Sequence, residues 1–310
     1  MKIAITGANG FIGKSLLNYL SGRYELYALS RRNKFESKSV NYINYDINKN
    51  NENLENILKD ISVIIHTAAR VHVKNDIGKD NFDKYELLNY ESTIKIATMA
   101  KKLGVKKFIF LSTVAVYGEK STEEFRFKVG DEENPLTSYS ITKLSAERKL
   151  FELSKNTNLD VICLRIPLVY GPGAKGNIKT LIDLCKIGIP LPFGSVKNKR
   201  SYLYIGNLES FIDRCISFPF PINRTLNVSD NYDLSLSKLV SLVKKILNKN
   251  NFNFRVSPNI LRVILFLVGK SNINSKLLDN FRVDISDSMN LLNWDPPYDI
   301  LHGLNKTLND

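Results

Sequence analysis

The sequence predicts an α/β protein: a doubly wound parallel sheet, with a smaller, mostly helical C-terminal domain. Three observations predict it. Short apolar runs alternate with helical patterns as far as Gly171, the order that a parallel sheet with crossover helices requires. The first run passes through a glycine-rich turn straight into a helix. Beyond Gly171 the pattern changes. Pro172, Gly173, Pro190, Pro192 and Gly194 break the chain into shorter pieces, and from Ser235 on Leu236, Leu239, Val240, Val243 and Ile246 recur at helical spacing.

Element by element, Lys2 to Thr6 reads as a strand, Phe11 to Leu20 as a helix, and Leu26 to Ser30 and Tyr42 to Tyr45 as the next two strands. Val63 to His66 is a fourth strand, followed by one long helix over about Phe82 to Leu103. Lys107 to Ser112 suits a buried central strand. Tyr139 to Lys155 is helical, Val161 to Ile166 extended, and Thr225 to Val228 a strand returning to the first sheet. The expected domains are therefore residues 1–170 with 201–229 returning, and 171–200 with 230–310.

Composition excludes several classes. With 310 residues, 43% of them hydrophobic and 24% charged, the chain can bury a full core. No stretch approaches the roughly 20 apolar residues that span a bilayer, so no transmembrane segment is expected. The longest apolar run, Val263 to Val268, reads as a helix packed in the C-terminal domain; a membrane-touching helix is the weaker reading. The chain enters a strand almost at once, so no signal peptide is expected. Cys163, Cys185 and Cys215 have no paired spacing, and His66, His72 and His302 no ligand spacing. They imply reduced thiols in a cytoplasmic protein and no metal. The net charge of +13 is spread over short pairs such as Arg31-Arg32 and Lys244-Lys245. No aromatic–basic interleaving accompanies them, so no nucleic-acid partner is expected.

The turn Gly7-Ala8-Asn9-Gly10-Phe11-Ile12-Gly13 lies between a strand and a helix. Gly7 permits the tight turn, Gly10 lets backbone approach a pyrophosphate, and Gly13 lets the helix pack on the strand. The N–H groups of the helix start then face the phosphates. This is the opening of a Rossmann-type dinucleotide site. Its TGxxGxxG spacing resembles the extended short-chain dehydrogenase/reductase family of nucleotide-sugar epimerases, dehydratases and reductases.

That resemblance implies further residues. After the second strand the chain carries Ser30-Arg31-Arg32 and no acid. Arg31 could receive the 2′-phosphate of NADP or lie against the adenine of NAD, so the cofactor is NAD or NADP. Asp46-Ile47 resembles the family's adenine-binding pair, Ala68 and Ala69 its small-residue cofactor loop, Asn89 its cofactor-proximal asparagine, and Pro167 the segment that closes over nicotinamide. Tyr139 and Lys143 form a YxxxK pair, on one helix face. The lysine ammonium and the nicotinamide cation would favour the phenolate, so that Tyr139 can act as acid and base. Leu111-Ser112-Thr113-Val114-Ala115-Val116-Tyr117-Gly118 resembles the family's S-[ST]-x-x-V-Y-G motif and puts Thr113 at the catalytic hydroxyl, with Ser112 beside it. Sugar 4,6-dehydratases of the family carry an Asp-Glu pair where this chain has Val114-Ala115, which argues against dehydration.

On the substrate side, Arg200-Ser201-Tyr202-Leu203-Tyr204-Ile205 resembles the family's R-x-Y-x-x-V pattern, whose arginine pairs with a nucleotide diphosphate. Asn177, Phe193 and Arg282 are further candidates for diphosphate and base. Leu168 stands where many relatives have Asn. The segments around His66, Leu168 and Gly188 look closest to bacterial enzymes of surface-polysaccharide and O-antigen synthesis that act on UDP-N-acetylhexosamines. Those are 4-epimerases or 4-keto-6-deoxysugar reductases making UDP-N-acetylquinovosamine. The expected partner is thus a UDP-sugar, in a homodimer. The competing reading, a non-catalytic NAD(P)-sensing or nucleic-acid-binding protein on the same fold, leaves the Thr113, Tyr139 and Lys143 set unexplained.

Overall fold

A computed structural model of the chain describes residues 1–32, 39–46, 54–71, 79–269 and 273–309. Ten strands occur among them: β1 (Lys2–Thr6), β2 (Glu25–Ser30), β3 (Val40–Asn44), β4 (Val63–His66), β5 (Lys107–Thr113), β6 (Asp160–Ile166), β7 (Leu168–Tyr170), β8 (Arg200–Tyr204), β9 (Arg224–Asn227) and β10 (Asp233–Leu234). Seven form one sheet in the order β3-β2-β1-β4-β5-β6-β9. The pairs from β3 to β6 are all parallel. Strand order reverses between β1 and β4, the switch point at which such sheets bind ligands beyond their C-terminal ends.

The chain forms two compact units. The first comprises Met1–Gly118, Glu132–Ile166 and Phe211–Leu226. β4, β5 and β6 are fully buried apart from Lys107. That is why they read as continuous apolar runs, without the alternation of a half-exposed strand. One face of the sheet packs Phe108, Phe110, Val161 and Cys163 against Ile96, Ala97, Ala100, Ala146 and Leu150 of the helices.

The expected long helix over 82–103 is broken into Lys79–Tyr85, a π-helical turn at Glu86–Glu91, and Ser92–Lys102. The wide turn holds Asn89, whose side chain clamps the backbone of Arg70 (Arg70 N to Oδ1, 2.7 Å; Nδ2 to Arg70 O, 3.1 Å). A π-turn re-aims one side chain without ending the helix.

The second unit comprises Glu119–Asp131, Pro167–Ser210 and Asn227–Asp310. It has its own sheet, β10-β8-β7, which the sequence reading did not foresee. The return to the first unit, expected at residue 201, comes at Phe211, because β8 pairs with β7 and β10. Buried Asp230 ties this unit together, accepting from Tyr170 Oη (2.9 Å), Tyr204 N (2.8 Å) and Asn207 Nδ2 (2.7 Å). One helix corrects the sequence reading outright. Pro258–Leu267, expected to be packed, buries only Leu261. Leu265 is half-buried, and Ile260, Val263, Ile264, Phe266 and Leu267 are exposed.

Candidate active site

β1 ends in the glycine turn. Gly7 takes a left-handed backbone (φ +65°), and a Cβ there would lie 2.7 Å from Ala68 N. A Cβ on Gly13 would lie 2.4 Å from Gly7 O and 2.9 Å from Ala8 Cα. The helix Phe11–Leu20 therefore starts closer to the strand than any side chain allows. Gly10 N donates to Gly7 O (2.8 Å), and Gly10 caps the helix through backbone alone. Phe11, Ile12 and Gly13 supply the first-turn N–H groups, which have no intrahelical acceptor.

Around this turn lies a cleft of about 670 Å³. Gly7, Asn9, Gly10, Ser30, Arg31, Tyr45, Thr67, Ala68 and Ala69 line it, off the ends of the strands flanking the switch point. Asn9 donates through Nδ2 to Ser30 Oγ (2.9 Å) and to Arg32 O, while its Oδ1 is buried without a partner among the described residues. A buried acceptor without a donor costs free energy unless a ligand supplies one. Ribose hydroxyls would. The glycine cradle, the orphaned amide oxygen and the exposed Arg31 together fit the adenosine and pyrophosphate of a dinucleotide. Asp46 follows Tyr45 just past β3; Ile47 lies outside the described residues. Asn89 stands behind the Ala68-Ala69 loop as its clamp, with Nδ2 also 3.4 Å from Thr142 Oγ1.

Thr113 ends β5, and Tyr139 and Lys143 lie on the helix Ser138–Ser154. A capping box at Thr137 and Ser140 starts that helix and sets the phase that turns the pair to one side. Tyr139 is hydrogen-bonded to Thr113, whose Oγ1 also accepts from Ala115 N (3.2 Å). Burial pushes the Tyr139 phenol up to about 12, and the Thr113 hydrogen bond only partly offsets this. Without a cation beside it, Tyr139 stays protonated at neutral pH. Burial lowers Lys143 to about 7, with Glu147 acting in the opposite sense. Its Nζ donates to Leu111 O (2.8 Å) and lies 4.2 Å over the Phe110 ring.

Ser112, expected beside the substrate, is turned away from Thr113. Neighbouring strand residues face opposite sides, and the Ser112 hydroxyl donates to Glu147. Glu147 is gripped by Arg165 (Nε to Oε1 and Oε2, 3.2 and 3.1 Å; Nη2 to Oε2, 2.6 Å), which also binds Glu133. Burial would raise Glu133, but hydrogen bonds from Arg165 and Arg148 hold it below the usual carboxylate range. The sequence reading missed this network, since its members lie on four separated segments. It also missed Asn9 and Ser30, although Asn9 sits inside the glycine motif.

In the second unit, Arg200 Nη1 donates to the carbonyls of Ser275 and Asp279 (2.9 Å each), and its guanidinium lies 5.6 Å from the Phe281 ring. Burial lowers its pKa, an uphill position for an unneutralised cation. Arg282 goes elsewhere: Nε to Asp233 (2.7 Å) and Nη1 to Glu123 O (2.7 Å). The two arginines thus do not converge on one partner. Asn177 is exposed at the first position of the helix Asn177–Ile187, Phe193 is half-buried in a turn, and Pro167 is buried at the start of the unit.

A Rossmann sheet, a dinucleotide cradle and a Thr-Tyr-Lys set on β5 and the following helix define a short-chain dehydrogenase/reductase of the extended kind, an NAD-linked enzyme. Comparison with known proteins narrows this. Residues 3–229 match the NAD dependent epimerase/dehydratase family, and the chain belongs to it. It is 34% identical over 308 residues, 98% of this chain and 94% of the relative, to a UDP-glucose 4-epimerase of Vibrio cholerae. It is 26% identical to the N-acetyl-α-D-glucosaminyl-diphospho-ditrans,octacis-undecaprenol 4-epimerase of Escherichia coli O157:H7, over 80% of this chain and 72% of that one. Among solved structures it resembles the UDP-glucuronic acid 4-epimerase of Bacillus cereus in complex with NAD, with a TM-score of 0.81, 25% identity, and coverage of 100% of this chain and 98% of the other.

Proposed function

We propose that the chain is a nucleotide-sugar 4-epimerase that acts on UDP-N-acetylhexosamines and serves surface-polysaccharide synthesis, as a cytoplasmic homodimer. The observation that carries the reading is the hydrogen-bonded Thr113 and Tyr139, four residues before Lys143, with Val114-Ala115 where a dehydratase would need an acid and a base. The Vibrio cholerae and Escherichia coli relatives, both named as 4-epimerases, support it.

When bound, NAD supplies a hydride acceptor at the sugar carbon and returns the hydride afterwards. The chain's own residues handle the proton and the geometry. Tyr139 takes the proton of the C4 hydroxyl as the C–H bond breaks and C4 becomes a ketone. Once the ketone has turned over, Tyr139 gives the proton back to the C4 oxygen, so the phenol ends the cycle in the protonation state in which it began. Thr113 holds the sugar oxygen and passes its hydrogen bond to the phenol. Lys143 holds the nicotinamide ribose and adds positive charge near Tyr139. Arg200 pairs with the diphosphate; Asn177 and Phe193 contribute at diphosphate and base. Ser112 is engaged with Glu147 and Arg282 with Asp233, so neither is assigned to the substrate.

One observation favours a second reading. Arg31 stands in place of an acid after β2, which suits NADPH and hence a 4-ketoreductase. Incubation with UDP-GlcNAc and, separately, UDP-glucose, without added cofactor, decides between them. Formation of UDP-GalNAc is expected, faster than formation of UDP-galactose. No conversion of either, with NADPH consumed only on a 4-keto-sugar, would replace the epimerase with the reductase.

A further inference from the structure

We propose that the second unit carries a docking face for the surface of an anionic phospholipid bilayer, built on the helix Pro258–Leu267 and the Phe252–Phe254 strip before it. On this helix Leu261 is buried and Arg262 pairs with Asp279, which fixes the inward side. The outward side should then be polar, as on any solvated surface helix. It is apolar instead. Phe266 is 70% exposed and Leu267 75%, with Ile260 and Val263 also more than half exposed. A helix that is apolar on both sides needs a nonaqueous surrounding.

A second exposed apolar strip lies just before this helix in the chain. Phe252 and Phe254 stack edge to face at 5.4 Å and are each more than half exposed. Lys244 Nζ reaches both Phe252 O (3.2 Å) and Ile189 O (3.0 Å), which places the exposed Ile189 beside them.

Charge selects the occupant. Residues 234–278 contain eight Lys and Arg and no Asp or Glu. Lys245, Lys249 and Arg255, which flank the aromatic strip in sequence, are exposed. A second copy of this face would oppose like charges, whereas anionic headgroups complement them. No helix among the described residues is long and apolar enough to cross a membrane. A ten-residue helix of this kind lies in the headgroup plane, with aromatic and aliphatic side chains among the acyl chains and basic side chains at the phosphates. The inference does not depend on which sugar the enzyme uses.

Vesicle flotation of the whole protein tests it, with phosphatidylglycerol–phosphatidylcholine vesicles against pure phosphatidylcholine. The protein should float with the anionic vesicles at low salt, with little association with the neutral ones, and added salt should weaken the binding. The double variant Phe266→Glu/Leu267→Glu should bind the anionic vesicles at least about tenfold more weakly, with turnover of a soluble UDP-sugar unchanged. Lys249→Ala/Arg255→Ala should weaken anionic binding with the apolar face intact. Absence of vesicle binding at low salt would overturn the proposal, as would undiminished binding by the Glu variant. A smaller oligomer in that variant with no change in flotation would instead make this face a contact between copies.

Discussion

Replacing Glu147 with alanine is the perturbation whose size the structure sets most clearly. The Glu147 side chain is 2% exposed and that of its partner Arg165 4%. Removing the carboxylate deletes three hydrogen bonds from Arg165 and the acceptor of the Ser112 hydroxyl. Glu133 still binds Nη2, but Nε loses both its acceptors on Glu147 and one buried positive charge loses its main partner. Breaking a buried pair from one side costs about 3–5 kcal/mol, most of it from the stranded charge. A second effect reaches the active site. Glu147 raises the pKa of Lys143, so its loss lowers Lys143 further below about 7 and leaves it less charged at neutral pH. Urea denaturation followed by circular dichroism should show Glu147→Ala destabilised by about 3–5 kcal/mol, with kcat reduced more than KM is changed. Glu147→Gln, which keeps the shape and loses the charge, should fall between. Glu147→Leu combined with Arg165→Met should recover much of the stability, since no guanidinium is then stranded and Glu133 keeps Arg148. A loss below about 1 kcal/mol for Glu147→Ala would refute the view that this network holds β5 and the catalytic helix in place.

Three further outcomes follow from the site. Gly13→Ala puts a methyl 2.4 Å from Gly7 O, so the helix must move off the strand; NAD, which should raise the melting temperature of the wild type, should no longer stabilise the variant. Arg31→Asp should weaken NADP binding at least about tenfold by calorimetry, through loss of a charge-assisted phosphate contact, with NAD affinity little changed; equal losses for both cofactors would contradict the placement of Arg31 at the ribose. His66 lies between Thr6 Oγ1 (2.9 Å) and Thr93 Oγ1 (3.1 Å), and burial, with Lys143 adding to it, lowers its pKa from 6.5 to about 3. The unfolded chain then binds the extra proton between those values, so this contribution is whole above pH 6.5. It should fall by about 1.4 kcal/mol per pH unit below that, a slope that His66→Gln removes.

Much of this was readable from residue order, for physical reasons that differ between elements. β1, the first helix and β4 were placed to the residue because a fully buried strand and a glycine turn leave local signatures. Thr113, Tyr139 and Lys143 were readable because motif spacing is local. The π-turn was not, since its cause is the distant backbone of Arg70. The return to the first domain was placed at residue 201 because Arg200–Tyr204 carries no mark of its partners, β7 and β10. The direction of Ser112 could have been read from strand alternation once Thr113 was chosen. Glu147, Arg165 and Glu133 could not have been joined without the fold, nor could Arg200 and Arg282 have been told apart. The exposed helix Pro258–Leu267 shows the converse limit: an apolar run announces a nonpolar surrounding without saying whether protein supplies it.

The most direct test of the account compares wild type and Tyr139→Phe on UDP-GlcNAc with no cofactor added, following the epimer by proton NMR. The wild type should convert substrate to a stable mixture of the two C4 epimers with no change in nicotinamide absorbance. The variant, with sheet and cradle intact and NAD still bound, should fall by about 100-fold or more, the size expected for a lost general acid–base. Turnover by Tyr139→Phe near the wild-type rate would contradict the assignment of the proton to this phenol, and with it the account of the site.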